Sequence, residues 1–184
     1  MGHFKTVAAS QVTITELMTP EKANFGGKIH GGHILSLLDK VAYVCAAKHA
    51  NGYCVTISVD TVDFLHPIEV GELVHFHASV NYTGKTSMVV GVKVVAENVH
   101  LQSVRHTNTS YLTMVAVDEQ GKPREVDGLK LTSATEVRRF YEAKARKDIN
   151  KAFRSEFSNT RQKLNLDLQV ATLQTENCLL ELQS

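Results

Sequence analysis

The chain is short of cysteine, of net charge and of long apolar runs, and each shortage closes off a class of protein. Its three cysteines, Cys45, Cys54 and Cys178, are odd in number and widely spaced. They make neither a disulfide framework nor a CxxC metal site, and they are expected in a reducing compartment. A formal net charge of +1 over 184 residues gives no basic field for nucleic acid or for an anionic membrane surface. No apolar stretch approaches the roughly 20 residues that span a bilayer. The opening MGHFKTVAAS has no hydrophobic signal core, although it fits the M-G-x-x-x-[ST] myristoylation pattern, a short pattern often met by chance. A soluble, cytoplasmic protein is expected, with neither nucleic acid nor membrane among its partners. At 43% hydrophobic content the chain can bury one full core, with an appendage.

What is present is concentrated between Asn24 and His49, NFGGKIHGGHILSLLDKVAYVCAAKH. Gly26, Gly27, Gly31 and Gly32 let the backbone take positive φ or approach a ligand closely. Apolar helix-forming residues follow at once, from about Gly32, and cover nearly all faces, so a central, wrapped helix is expected there. A glycine-to-helix junction offers free N–H groups and the positive end of the helix dipole to an anion or a developing oxyanion. Asp39 is a carboxylate within this greasy helix. A buried acid is costly unless paired or used, which makes Asp39 a candidate for chemistry; the bland alternative is a structural acid with a local partner.

The remaining pattern is β-rich. QVTITELM (11–18) alternates as a half-buried strand, Asn51-Gly52 closes the helix, and strands are expected at about 54–66, 72–83, 87–97 and 105–117. One strand, one buried helix and four further strands without intervening helices point to an antiparallel α+β fold, a sheet wrapping one helix. A polar exit loop (118–128) precedes Ser133-Ala134-Thr135-Glu136, a capping-box sequence that opens an amphipathic, outer helix. The expected division is a domain at 1–130, a C-terminal helix at 131–157 and a tail at 158–184. In the tail Leu166, Val170, Leu173, Asn177 and Leu180 have coiled-coil-like spacing; a loose tail is the other reading.

Spacing sharpens the chemistry. Gly31 and Asp39 are eight residues apart, a rise of roughly 12 Å on a helix. One amide and one carboxylate so separated do not address a single carbonyl carbon from the same helix. If both act on one substrate, Asp39 comes from a second copy, which predicts a homodimer with two composite sites, each taking Asn24 and the Gly31 region from one protomer and Asp39 from the other.

Asn24, Gly31, Gly32 and Asp39 form N-x(6)-G-G-x(6)-D, followed by VTISVDTVDFLHPIEVGELV (55–74), NYTGKTSMVVGVKV (81–94) and VAVDEQGKPREV (115–126). Over about residues 8–150 these motifs resemble the hotdog-fold acyl-CoA thioesterases, in particular their cytosolic acyl-CoA hydrolase branch. The resemblance implies a long helix wrapped by a five-stranded antiparallel sheet, dimers joined edge to edge, often a trimer of such dimers, and hydrolysis of acyl-CoA to fatty acid and free CoA. It implies no cofactor, since CoA is part of the substrate. Asp39 would be the general base on water or the nucleophile, and the Gly31 or Gly32 N–H would stabilise the oxyanion. Asn24 would orient water or thioester, unless it is only an Asx-turn residue. Thr83, Gly84, Lys85, Thr86 and Ser87 resemble the family's CoA contact loop, with Lys85 offsetting phosphate charge.

Other motifs weigh less. Gly26-Gly27-Lys28 is no P-loop, because Ile29 follows Lys28. His30 with His33 and His75 with His77 lack a third ligand at a recognised metal spacing. Arg105 and His106 suggest a phosphate contact. Val55, Ile57, Val59 and Val62 could line an acyl tunnel. Two rival functions stand beside hydrolysis: an acyl-thioester dehydratase or hydratase on the same fold, and a non-catalytic acyl-CoA-binding sensor. The first would place a histidine and an acid in a proline-containing loop, which the helix start lacks; the second lacks a helix-turn-helix output.

Overall fold

The computed structural model describes residues 3–164, 170, 173 and 176–181. Helix α1 runs Gly31–Ala50 and ends at Asn51, whose left-handed backbone (φ 51°, ψ 48°) sends its N–H back to the Ala47 carbonyl. The strands are β1 (Phe4–Thr6), β2 (Val12–Leu17), β3 (Cys54–Val59), β4 (Leu73–Thr83), β5 (Ser87–Asn98), β6 (Ser103–Ala116) and β7 (Gly128–Lys130), and a second helix, α2, covers Ala134–Gln162. Five strands form one antiparallel sheet in the order β2-β4-β5-β6-β3. Bulges at Thr56/Ser58, Val80/Tyr82 and Val94/Val95 bend it. Its inner face, carrying Val74, Phe76, Val90, Val92, Leu112 and Met114, packs against Ile34, Leu37, Leu38, Val41, Cys45 and Ala46 of α1. The α+β wrap read from the sequence is therefore present.

Two features of the strands differ from expectation. Strand β3 stops at Val59 and not near residue 66, because only isolated bonds follow, Asp60 N–H to Tyr111 O (2.9 Å) and Leu65 N–H to Thr107 O (3.0 Å). Residues 60–68 instead form a loop pinned by a buried ion pair. Arg105 donates to both carboxylate oxygens of Glu72 (2.6 Å each) and to the Pro67 carbonyl (2.8 Å), while Glu72 is 1% exposed. That engagement replaces the phosphate contact suggested for Arg105. The second difference is a parallel pair, β1 with β7. It is tied by Lys5, which meets Asp127 (3.3 Å) and the His49 carbonyl (2.6 Å).

At the start of α2, Ser133 Oγ accepts from Glu136 N–H (3.2 Å), as a capping box requires. Glu136 itself reaches one residue further back, to the N–H (2.5 Å) and hydroxyl (3.0 Å) of Thr132. The helix outruns the expected 131–157. Two compact units divide the chain, Met1–Ala143 and Lys144–Ser184, so the first turns of α2 belong with the sheet. In the second unit Phe153 and Phe157 stack at 6.2 Å. Of the seam expected in the tail, Leu166 lies outside the described residues, and Asn177 and Leu180 are not helical. Among the described residues no helix is long and apolar enough to cross a membrane.

Candidate active site

Three neighbouring pieces carry the sequence-predicted residues: the loop before α1, the first half of α1, and strand β3. The loop is a tight reversal in which Asn24 Oδ1 accepts from the N–H groups of Gly26 (2.9 Å) and Lys28 (3.2 Å). This is the Asx turn that was the bland reading of Asn24. It engages only the carbonyl oxygen, leaving the Nδ2 donors outside the turn. Of the four glycines, only Gly27 takes positive φ (75°); Gly31 and Gly32 are helical. Helix α1 is capped by His30, whose Nδ1 accepts from Gly32 N–H at 2.9 Å. The Gly32 amide is thereby occupied, whereas the Gly31 N–H has no acceptor among the described residues. Phe64 covers this corner, its ring 3.5 Å from where a Cβ on residue 31 would stand. The cap was not visible in the sequence because histidine is outside the usual capping set.

Below that corner lies a charged cluster. Glu16 on β2 accepts from Lys22 and from His33 Nε2 (3.0 Å). Burial raises the Glu16 carboxyl, but hydrogen bonds from Lys22 and His33 outweigh it and hold the group below the usual carboxylate value. Loop, strand and first helical turn are thus clamped together.

Asp39 is exposed in the single chain rather than buried. Thr56 of β3 donates its hydroxyl to Asp39 Oδ1 at 2.6 Å, and the same Thr56 hydroxyl oxygen lies 3.3 Å from Met114 Sδ. The open face around it is apolar: Leu35, Tyr43 and Val44 on α1, Tyr53 just before β3, and Ile57 and Val59 on β3 are all exposed. Strand β3 is also a sheet edge, paired with β6 alone. A carboxylate with a short hydrogen bond, centred in an uncovered greasy face, is thus what the expected "buried" acid amounts to in one chain. Of the tunnel candidates, Ile57 and Val59 lie on this face, while Val62 packs against the core.

Thr83, Gly84, Lys85, Thr86 and Ser87 make the β4–β5 hairpin. Ser87 lies in register with Val115, and Val115 with Val55. The hairpin is therefore level with Thr56, about two strand spacings, or roughly 10 Å, across the sheet. Gly84 N–H bonds to Ser87 O (2.7 Å), and Ala116 and Val126 donate to the Thr86 and Lys85 carbonyls (3.1 Å each). Lys85 faces Glu125 at 3.3 Å, both exposed. One chain thus brings Asp39, Thr56 and the hairpin to one level of the sheet, and leaves Asn24 and Gly31 at the far end of the α1 half-helix.

The histidines have local partners. His75 meets Thr15 (2.9 Å) and Glu97 (2.8 Å), and His77 meets Thr13 (3.0 Å). Among the described residues no group of three or more His, Cys, Asp or Glu is arranged to hold a metal. Burial pushes the Cys45 thiol up to about 12 and raises that of Cys54, so neither offers a thiolate nucleophile at neutral pH.

This combination, a five-stranded sheet around one helix with an uncovered acid on the helix, is that of a hotdog-fold protein. A family profile described as the Thioesterase superfamily matches residues 26–103. Protein VdlD of Helicobacter pylori is 44% identical over 144 residues, 78% of this chain and 82% of that protein. The acyl-CoA hydrolase of Staphylococcus aureus, solved with butyryl coenzyme A, coenzyme A and coenzyme A disulfide, superposes with a TM-score of 0.79 at 33% identity, covering 86% of this chain and 97% of that one. Three alanine variants of that enzyme, at an asparagine, an aspartate and a threonine, are similarly close, with TM-scores of 0.82, 0.79 and 0.76. A hexameric acyl-CoA thioesterase in its apo form gives a TM-score of 0.79 at 37% identity, over 89% of this chain and 99% of its own. The chain belongs to the thioesterase superfamily, among its hotdog-fold acyl-CoA hydrolases.

Proposed function

We propose that the protein hydrolyses acyl-CoA to free fatty acid and coenzyme A at composite sites formed between two copies of the chain, without a resident cofactor. The observation that carries this is the Asp39–Thr56 pair, open to solvent in one chain and ringed by exposed apolar side chains on α1 and β3. A supporting coincidence comes from the Staphylococcus aureus enzyme. Its asparagine, aspartate and threonine variants lie fifteen and seventeen residues apart, the intervals that separate Asn24, Asp39 and Thr56 here.

Asp39 performs the key step through Oδ2, since the Thr56 hydrogen bond occupies Oδ1 and fixes the carboxylate's rotation. As general base it takes a proton from water as that water attacks the thioester carbonyl; as nucleophile it attacks the carbonyl itself, forming a mixed anhydride as the thiolate leaves, which water then hydrolyses to the fatty acid and the restored carboxylate. The carbonyl oxygen, gaining negative charge, is received by the Gly31 N–H of the facing protomer at the positive end of α1. Asn24 Nδ2 orients the water or the thioester. Collapse expels the CoA thiolate, a better leaving group than an alkoxide because a thiol ionises near 8.5. The hairpin Thr83–Ser87 receives the nucleotide end of CoA, with Lys85 exchanging its Glu125 partner for a phosphate. Edge-to-edge pairing through β3 makes the dimer, three dimers make the assembly, and the cytoplasm supplies the substrate.

Thiol release from acetyl-, butyryl-, octanoyl- and palmitoyl-CoA tests this. Turnover on at least one is expected. Saturable binding of all four without thiol release would replace hydrolysis by the sensor reading, and loss of an unsaturated acyl-CoA's absorbance without thiol release by the hydratase reading. A finer check concerns Thr56: Thr56→Val is expected to lower kcat roughly tenfold with KM little changed, since it loosens the base without removing a substrate contact. A rise in KM alone would assign Thr56 to substrate binding.

A further inference from the structure

On the opposite side of the sheet from Asp39 lies a second cavity, of about 350 Å³, between the outer face of β2, β4, β5 and β6 and the first turns of α2. It lies within the Met1–Ala143 unit. Its floor is Gly91, a residue poorly suited to a strand interior unless something must approach the backbone. A Cβ there would stand 2.3 Å from Asn81 Nδ2 and 3.3 Å from the Tyr111 ring. Ser79 and Asn81, each 7% exposed, line the wall. The Ser79 hydroxyl donates to Asn81 Oδ1 at 2.8 Å, which fixes the amide and leaves Nδ2 as a donor over the glycine floor.

The charge lining this cavity is unbalanced. Arg138 is paired with Glu142 at 2.6 Å, but Arg139 and Lys93, which also line it, have no acidic partner among the described residues. His77, in register with Lys93, also lines the cavity and shares a hydrogen bond between Nδ1 and the Thr13 hydroxyl (3.0 Å). Its pKa is lowered by burial first and then by electrostatic repulsion from the His75 and Lys93 side chains. Two uncompensated cations and oriented amide donors around a roofed, glycine-floored space suit a compact dianion better than a monoanion, because each cation is desolvated only when an opposite charge arrives. Nothing in the hydrolysis of a thioester on the other face uses these groups.

We propose that this cavity binds the phosphate group of a small phosphorylated molecule, through Arg139, Lys93 and Asn81 Nδ2, at a site separate from the thioester-cleaving one. Ser79 acts as the positioning residue that keeps Asn81 turned toward the anion, and Gly91 leaves the room in which that amide lies against the strand.

Calorimetric titration of the full-length protein with inorganic phosphate, pyrophosphate, glycerol phosphate and acetate tests it. Saturable binding of pyrophosphate or glycerol phosphate is expected, with acetate at least tenfold weaker and Tm rising by roughly 5 °C at saturation. Preference for glycerol phosphate identifies a phosphomonoester; preference for phosphate or pyrophosphate identifies the free anion. Arg139→Gln and Lys93→Gln, both on the exposed rim, should each weaken binding at least tenfold while leaving acyl-CoA hydrolysis and CoA affinity unchanged. Asp39→Ala should bind the anion as the wild type does. No saturable binding by the folded wild type, equal binding by the rim variants, or loss of binding in Asp39→Ala would each overturn the assignment, the last by placing the anion in the catalytic site.

Discussion

Asp39→Ala is expected to reduce kcat/KM for acyl-CoA hydrolysis by roughly a thousandfold, with the fold and the oligomer intact. In the proposed mechanism this group is the base or the nucleophile. Cys45 and Cys54 are held as thiols by burial, and Glu16 is spent on Lys22 and His33. The structure in turn loses little, because in the single chain the carboxylate is exposed and its one described partner is the Thr56 hydroxyl. Asp39→Asn keeps that hydrogen bond and removes the charge. It should be nearly as inactive, which separates loss of the base from loss of the contact. Near-wild-type turnover by either variant on every acyl chain length would sink the proposed mechanism.

Mixing inactive chains should bring activity back. If Asn24→Ala and Asp39→Ala protomers are unfolded, combined in equal amounts and reassembled, each heterodimer contains one site with both residues intact. Random pairing then predicts recovery to about a quarter of wild-type activity. The physical basis is the rise of roughly 12 Å between residues 31 and 39 along α1, which no side-chain rotation closes. Heterodimers verified by mass that remain as dead as their parents would show that Asn24 and Asp39 serve the same protomer, and the site would have to be rebuilt within one chain.

The sequence made much of the scaffold legible, for physical reasons that also explain what it concealed. Alternation in β2, β4, β5 and β6 reports a sheet with one buried face, and Asn51-Gly52 ends α1 where the backbone turns left-handed. Beyond Val59 the sequence continues as a strand would, yet the backbone meets β6 only through isolated bonds from Asp60 and Leu65, so pattern alone overextends β3. The three-residue β1–β7 pair joins segments more than a hundred residues apart and depends on Gly128 passing against the Phe4 ring; so short and non-local a pairing leaves no periodic trace. For the candidate site, spacing separated the glycine corner from Asp39 but could not supply Thr56, whose meeting with Asp39 needs β3 laid beside α1. Leu35 and Val44 read as core because an apolar surface left open on the single chain has the same composition as one buried by it. For the same reason Asp39 read as buried.

Strand β3 finally bears on how the protein fares before it assembles. Its outer rim offers a row of unpaired backbone donors and acceptors flanked by Tyr53, Ile57 and Val59. Such a rim will accept any extended segment that presents itself, native or not. If two copies pair through this rim as proposed, a newly made protomer faces competition between its mate and stray strands from half-folded neighbours. No gatekeeping charge guards the middle of that rim, where Thr56, Ile57 and Ser58 carry none.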